Sequence, residues 1–224
     1  MKICYGGVLD KVNSEQIIST INNVWEIESL SVKNLMNTVN NESVVSVVKT
    51  LAECKNNGGR VITCGAGTSG AAAKKIAHTL SCVEIPSFFL CPADSVHGAL
   101  GAVQKGDVVI AISKGGGTKE IINMLPGIKT KGAKLIGVTE NENSVLANMS
   151  DILLKVKVEK EPDPFNMLAT ASILAVIAVF DAIAIVLMHY TGYSKDQFAV
   201  IHPGGAVGER LAGSLHNSET TESK

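Results

Sequence analysis

Residues 61–70 read VITCGAGTSG, and residues 107–118 read DVVIAISKGGGT. Each stretch contains a run of apolar, largely β-branched residues typical of a buried strand, VITC at 61–64 and VVIAI at 108–112. Each run is followed by glycines and hydroxyl side chains and leads into a helix-forming segment. Glycines allow a tight turn with exposed backbone N–H groups, and the dipole of the following helix favours an anion there. Two such turns in one small domain predict a phosphate-binding site at two successive strand ends.

Neither turn matches the common nucleotide-binding loops. A Walker A loop needs a Lys-Ser or Lys-Thr pair after a glycine, which neither turn has at the required spacing. The first turn fits G-x-G-x-x-G, but residues 86–88 read PSF where a dinucleotide-binding fold carries an acidic ribose ligand. The plainer alternative is a pair of ordinary strand-to-helix turns capped by Ser69 and Thr118. The repetition of glycine plus hydroxyl at two strand ends favours ligand binding.

The rest of the chain alternates helical and strand patterns. Helices are predicted over residues 13–30, 42–55 and 120–131, and further strands over residues 84–90, 134–139 and 151–158. Strands that alternate with helices predict an α/β fold with a parallel sheet covered by helices on both faces.

Composition narrows the possible partners and compartment. The 224 residues carry 20 basic and 21 acidic side chains and only 4% aromatics, so neither a charged surface nor a base-stacking surface for nucleic acid is expected. The five cysteines form no C-x-x-C pair and are predicted to be small apolar residues in a reducing compartment. The first residues lack the apolar run of a signal peptide, which favours a cytoplasmic protein.

Residues 168–188 contain a single charge, Asp181, and are long enough to span a membrane. Many small residues suit this helix to close packing instead, and a charge at its centre would be costly in lipid. A helix that is apolar on all sides is buried. We therefore expect no membrane contact, burial between the sheet and a second subunit, and a homo-oligomer of at least two chains.

From about Arg60 to Leu211 the chain resembles a sugar isomerase (SIS) domain, and it is most similar to the arabinose-5-phosphate isomerases. The resemblance rests on GAGTSG at 65–70, PSFF at 86–89, HG at 97–98, DVVIAIS at 107–113, KVEKE at 157–161 and HPGGAVG at 202–208. It implies a flavodoxin-like, five-stranded parallel sheet sandwiched by helices. It also implies a helical arm over residues 1–57, with Trp25 in the core, a SIS domain over 58–213 and a disordered tail over 214–224. Longer relatives continue into a pair of CBS domains, so we expect no regulation by adenine nucleotides.

The resemblance implies a cofactor-free aldose–ketose isomerase that acts on a phosphosugar through an enediol. Glu161 matches the family's catalytic glutamate, and partial burial would raise its pKa toward neutrality. Glu120 matches a second, accessory glutamate, and His97 a histidine that lines the site. His202 would assist ring opening, in the site of an adjacent subunit of a dimer or homotetramer. Substrate binding is expected from the two turns, at Gly67, Thr68, Ser69, Ser113, Lys114, Gly115 and Thr118. No metal is expected, since Cys91 and His97 lack a third ligand.

Departures from the family leave other functions open. Thr68 stands where arabinose-5-phosphate isomerases carry a lysine, and Lys114 begins a run of three glycines where the family has asparagine and serine. We interpret Lys114 as supplying the displaced charge. Residues 163–172 also differ from the family's threonine- and serine-rich stretch. A non-catalytic phosphosugar sensor, or an isomerase of another phosphosugar such as a hexulose 6-phosphate, therefore remains an alternative.

Overall fold

The computed structural model describes residues 13–205 and residue 208. Its helices are α1 (Ser14–Lys33), α2 (Leu35–Thr38), α3 (Asn41–Asn56), α4 (Gly67–Ser81), α5 (Pro92–Ser95), α6 (Lys119–Thr130), α7 (Val145–Met149), α8 (Ala171–Thr191) and α9 (Lys195–Ile201). Its strands are β1 (Val61–Gly65), β2 (Ser87–Phe89), β3 (Val108–Ile112), β4 (Lys134–Thr139) and β5 (Ile152–Lys155). The expected tail over residues 214–224 lies outside the described residues.

The described strands form one sheet in the order β2-β1-β3-β4-β5 with every neighbouring pair parallel. Val61 of β1 lies opposite Ser87 of β2 on one side and Val108 of β3 on the other. This is the flavodoxin-like order, so the predicted fold class is confirmed. Because all strands run the same way, the turns after β1 and β3 emerge side by side at the carboxyl edge.

Alternate residues of the central strands enter two separate cores. Ile110 and Ile112 pack with α3, α4 and α8 on one face, while Val109 and Ala111 pack with α6 on the other. The described cysteines are free thiols, and burial raises the pKa of the Cys64 thiol to about 12. Cys64 therefore behaves as the small apolar residue that the sequence predicts.

The N-terminal helices differ in how they pack. Val47 and Leu51 of α3 are fully buried in the core. Trp25 of α1 is 64% exposed, so its predicted core position is wrong for the single chain. Helix α1 packs along the outer side of α8, and Trp25 lies in an open groove between the two helices beside Leu174 and Asp181. The boundary at residue 57 stays a prediction.

By length and composition alone, helix α8 could cross a membrane. Half of its most apolar stretch of 18 residues is buried inside the protein. Phe180 and Ile183 lie in the core, whereas Ile185 and Val186 are exposed. Asp181 forms an ion pair with Lys75 of α4. One face of α8 therefore belongs to the core, and the other forms an apolar surface beside α1.

Candidate active site

The turn after β1 requires glycine because strand and helix approach each other closely. A Cβ on Gly65 would lie 2.6 Å from the Ser69 carbonyl oxygen, and one on Gly70 would lie 2.7 Å from the Gly65 oxygen. Gly67 begins α4 with a φ of +56°. The first residues of α4 leave their backbone N–H groups without helical partners, as an anion site needs.

The hydroxyl side chains of the two turns do not cap the helices. Ser69 is the third residue of α4, which has no side-chain cap, and Thr118 precedes α6 without capping it. The Thr118 hydroxyl instead lies 2.8 Å from that of Ser113. The alternative interpretation, in which Ser69 and Thr118 cap the two helices, is therefore wrong on the capping hydrogen bonds. The turn itself is tight because Gly116 has a φ of +68°, and a Cβ there would lie 2.0 Å from Ser144 Oγ.

Glu161 follows β5 and turns its carboxylate into the interior beside the second turn. Its side chain has no solvent exposure. One carboxylate oxygen, Oε1, accepts from Lys114 Nζ at 2.6 Å and from the Ser172 hydroxyl. The other, Oε2, accepts from the backbone N–H groups of Thr170 at 3.1 Å and Ser172 at 3.3 Å. Four donors thus surround a carboxylate that is buried at the carboxyl edge of the sheet.

These donors decide the charge of Glu161. Burial raises the pKa of its carboxyl, but hydrogen bonds from Lys114, Ser172 and the Thr170 backbone outweigh burial and hold that pKa below its ordinary value. The expectation that burial raises the pKa toward neutrality is therefore wrong for the free protein. The missing factor was the Lys114 ammonium, 47 residues away in sequence.

The loop between β5 and α8 fixes the position of Glu161. The backbone N–H of Glu161 donates to Asn166 Oδ1 at 2.6 Å, and Asp163 accepts from the backbone N–H groups of Phe165, Met167 and Leu168. Neither Asn166 nor Ser172 was singled out from the sequence, where residues 163–172 were noted only for differing from the family's stretch. An Asp and an Asn three residues apart in a loop are a signal for such side-chain-to-backbone bonds.

One buried hydroxyl beside Glu161 lacks a partner. The Thr170 Oγ1 atom is buried and has no hydrogen bond within the described chain. A buried polar group without a partner costs about 1–3 kcal/mol. Ser69, Lys114, Thr139 and Ser172 line a small cavity next to this position. The first and second turns and Glu161 therefore meet at one place.

Other predicted residues lie at the same edge but make fewer contacts. His97 follows β2, Glu120 stands in the first turn of α6, and Thr68 lies in the first turn of α4, all with exposed side chains. None of the three makes a side-chain hydrogen bond to another described residue. The three residues follow β2, β3 and β1, which are adjacent in the sheet, but none of them contacts Glu161 or lines the small cavity beside it.

His202 lies elsewhere in the chain. It ends α9, where its ring stacks on Phe198 and Nδ1 lies 2.9 Å from the Phe198 carbonyl oxygen. Gln197 of the same helix donates to Glu84, which precedes β2 at the amino end of the sheet. His202 therefore belongs to the end of the domain opposite Glu161.

Two further observations bear on ligands. A cavity of ≈ 440 Å³ lies between α1 and the segment after β5, where Leu30, Asn34, Lys157 and Lys160 line it. It contains neither glycine turn, and Glu161 faces away from it toward Lys114. Among residues 13–205 no three His, Cys, Asp or Glu side chains are grouped to hold a metal ion.

A parallel flavodoxin-like sheet with two glycine-rich turns at helix starts and a buried carboxylate at its carboxyl edge is the arrangement typical of a small-molecule-binding α/β domain. The model of the SIS domain matches residues 46–186, and this chain belongs to that family.

Relatives and solved structures agree with this assignment. The arabinose 5-phosphate isomerase KdsD of Pseudomonas aeruginosa is 44% identical over 153 residues, which are 68% of this chain and 47% of the relative. The isomerase KpsF of Escherichia coli CFT073 is 35% identical over 87% of this chain and 59% of its own. This chain thus spans about half the length of the curated relatives.

Among solved structures, a Listeria monocytogenes protein superposes with a TM-score of 0.84 at 50% identity, covering 86% of this chain and all of that one. The E. coli CFT073 protein c3406, solved in complex with arabinose 5-phosphate, superposes with a TM-score of 0.81 at 33% identity, over 86% of this chain and all of that one.

Proposed function

We propose that the protein is a phosphosugar aldose–ketose isomerase whose substrate is arabinose 5-phosphate or a close analogue. One observation carries this proposal: Glu161 presents a buried carboxylate directly beside the two turns that suit a phosphate. The relatives named arabinose 5-phosphate isomerase and the c3406 complex with arabinose 5-phosphate support the same substrate class.

The reaction needs one base and groups that hold the developing negative charge. With the sugar in its open form, Glu161 removes the proton from C2, and the C–H electron pair forms the C1=C2 double bond while the C1 oxygen becomes an enediolate. A proton moves between the two oxygens, and Glu161 returns its proton to C1 to give the ketose. Backbone N–H groups and Lys114 stabilise the enediolate and the phosphate.

The remaining residues complete the site in this proposal. Thr68, Ser69, Ser113, Gly115 and Thr118 hold the phosphate through hydroxyl and backbone groups. His97 and Glu120 stand at the rim, where their exposed side chains are free to contact sugar hydroxyls. No step needs a cofactor.

His202 requires a second subunit in this proposal, because it lies at the far end of its own domain. The exposed apolar surface of α1 and α8 favours such an assembly. It includes Trp25, Leu174, Ile185 and Val186, each at least 40% exposed. Unpartnered apolar surfaces of this kind mark protein interfaces. We expect a homo-oligomer, either a dimer or a homotetramer, located in the cytoplasm.

The proposal is tested by incubation of the protein with a panel of pentose and hexose phosphates in deuterated water. Deuterium at C1 or C2, detected by NMR, together with ketose formation, supports the isomerase. Binding without exchange would instead identify a phosphosugar sensor. Arabinose without its phosphate is the matched control, and we expect it neither to bind tightly nor to exchange.

A further inference from the structure

The bond between Lys114 and Glu161 poses a difficulty for the proposed reaction. The Glu161 carboxylate already accepts four hydrogen bonds, two on each oxygen. A carboxylate that is fully hydrogen-bonded and ion-paired is a weak base, because its charged form is stabilised. Removal of a proton from carbon therefore requires that one donor leaves.

Three of the four donors are fixed in place. Two are backbone N–H groups, of Thr170 and Ser172, and the third is the hydroxyl of Ser172, which is buried at the start of α8. The fourth is the ammonium group of Lys114 at the end of a flexible side chain that is 34% exposed, while the Glu161 side chain has no exposure. Lys114 is therefore the replaceable donor, and it stands between Glu161 and solvent.

The second turn provides a place where a second anion could be held within reach of Lys114. Gly115, Gly117 and Thr118 follow it directly, and Ser69 of the first turn lines the same small cavity as Lys114 and Ser172. A substrate phosphate or enediolate held by these turns would lie within reach of the same ammonium group. A charge-assisted hydrogen bond from Lys114 to that anion can replace its ion pair with Glu161.

We propose that Lys114 is a substrate-operated latch, which neutralises Glu161 in the free protein and moves to the anionic substrate on binding, so that Glu161 becomes a base only in the complex. This inference rests on the proposed function and adds the order of events to it. It also gives a role to Lys114 in the turn after β3. The turn after β1 has Thr68 at the position where arabinose-5-phosphate isomerases carry a lysine.

The surroundings of Glu161 leave Lys114 as the decisive charge. Glu159 and Lys160 next to Glu161 have exposed side chains, and Glu140 after β4 makes no described ion pair. The Asp163 carboxylate accepts hydrogen bonds from backbone N–H groups of its own loop and makes none with Glu161. Once Lys114 leaves, burial still raises the pKa of the carboxyl while the three fixed hydrogen bonds still lower it. The pKa therefore rises from its value in the free protein, because one lowering influence is lost.

The test follows the titration of the Glu161 carboxyl by NMR of protein with 13C-labelled glutamate, in which Glu161→Gln identifies the resonance. The ligand is arabitol 5-phosphate, which carries the phosphate and hydroxyls but no carbonyl. We expect the free wild-type Glu161 to titrate below the ordinary range of glutamate and to move to higher pH when arabitol 5-phosphate binds. Arabitol without phosphate should cause no shift.

Variants provide an independent readout. Lys114→Met should show the raised titration without ligand and move the acid limb of the kcat/KM profile to higher pH, with kcat/KM lowered by roughly 100- to 1,000-fold. Lys129→Met is the matched control, because Lys129 makes an ion pair of the same length, 2.6 Å, with the half-exposed Asp151 away from the site. It should behave as wild type. If Lys114→Met fails to fold, the ligand titration of the wild type still decides.

Two outcomes would overturn the latch and are distinguishable from each other. If arabitol 5-phosphate saturates the wild type and Glu161 titrates as before, Lys114 stays on the carboxylate and the latch is wrong, while deuterium exchange still supports the isomerase. If no member of the phosphosugar panel binds or exchanges, the proposed function fails and the latch fails with it.

Discussion

The backbone N–H of Glu161 donates a 2.6 Å hydrogen bond to Oδ1 of Asn166, five residues further along the chain. Asn166 adopts a φ of +56°, a left-handed conformation that asparagine tolerates better than most residues. The loop after β5 is thereby closed on itself at the point where the candidate base enters the site. The conformation of this loop decides where the carboxylate lies.

Replacement of Asn166 by alanine removes the acceptor and disfavours the left-handed backbone. We expect kcat/KM to fall by up to roughly 100-fold, since small displacements of a catalytic group are costly. Asn166→Gly keeps the conformation and should lose less. Asn148→Ala, in α7, is the control. Steady-state kinetics of the three variants check this, and equal loss in Asn148→Ala would contradict the role of Asn166.

Two ion pairs of different burial should contribute differently to stability. Asp107 is 3% exposed and accepts from Arg60 and from the backbone N–H of Gln104, so Asp107→Ala should lower the free energy of unfolding by about 3 kcal/mol. Asp181, paired with Lys75 on the surface, should contribute about 0–1 kcal/mol. Urea denaturation of both alanine variants measures this. Equal losses would show that burial does not decide the contribution of these pairs.

The lowered pKa of Glu161 sets the sign of a pH effect. A carboxyl whose pKa is lower in the folded protein than in the unfolded chain stabilises the fold above the unfolded-state pKa, and that contribution is lost as pH falls through the folded-state pKa. The unfolded-state pKa of a glutamate is about 4.3. The stability difference between wild type and Glu161→Gln should therefore shrink below that pH. Urea denaturation at neutral and acidic pH checks this, and a constant difference would contradict it.

Sequence patterns predicted the sheet because each strand carries its own local signal. The predicted strand over residues 134–139 matches β4, Lys134–Thr139, since apolar, buried side chains extend over nearly its whole length. The predicted strand over residues 84–90 was too long. Glu84 has a φ of +55°, and pairing in β2 begins only at Ser87. A local pattern does not reveal where a partner strand stops.

The candidate site could be predicted only in part. Glu161 and the two turns were found through the family motifs, but the charge of Glu161 depends on Lys114 and Ser172, which reach it through the fold. Trp25 shows the same limit, because its helical spacing predicts an apolar face without saying whether that face meets the core or a second chain. Long-range partners are what the sequence of a single chain conceals.

The position of His202 gives a prediction about subunits. If His202 serves the site of a neighbour, a mixture of Glu161→Gln and His202→Ala chains should regain activity that neither variant has alone. Each mixed dimer would then contain one site with both native residues, so random mixing should restore about a quarter of wild-type activity. Isomerase assays after co-refolding measure this. If the mixture has no more isomerase activity than the two variants alone, either both residues act in the site of the same subunit or His202 takes no part in the reaction.

The most direct measurement is deuterium incorporation at C1 or C2 of the phosphosugar by Glu161→Gln, with the exposed Glu159→Gln as its matched control. Because the amide cannot accept the proton from carbon, we predict that exchange falls by about 10²- to 10⁴-fold while phosphosugar affinity and the exchange rate of Glu159→Gln stay near wild type. Exchange by Glu161→Gln at the wild-type rate would contradict the assignment of Glu161 as the base.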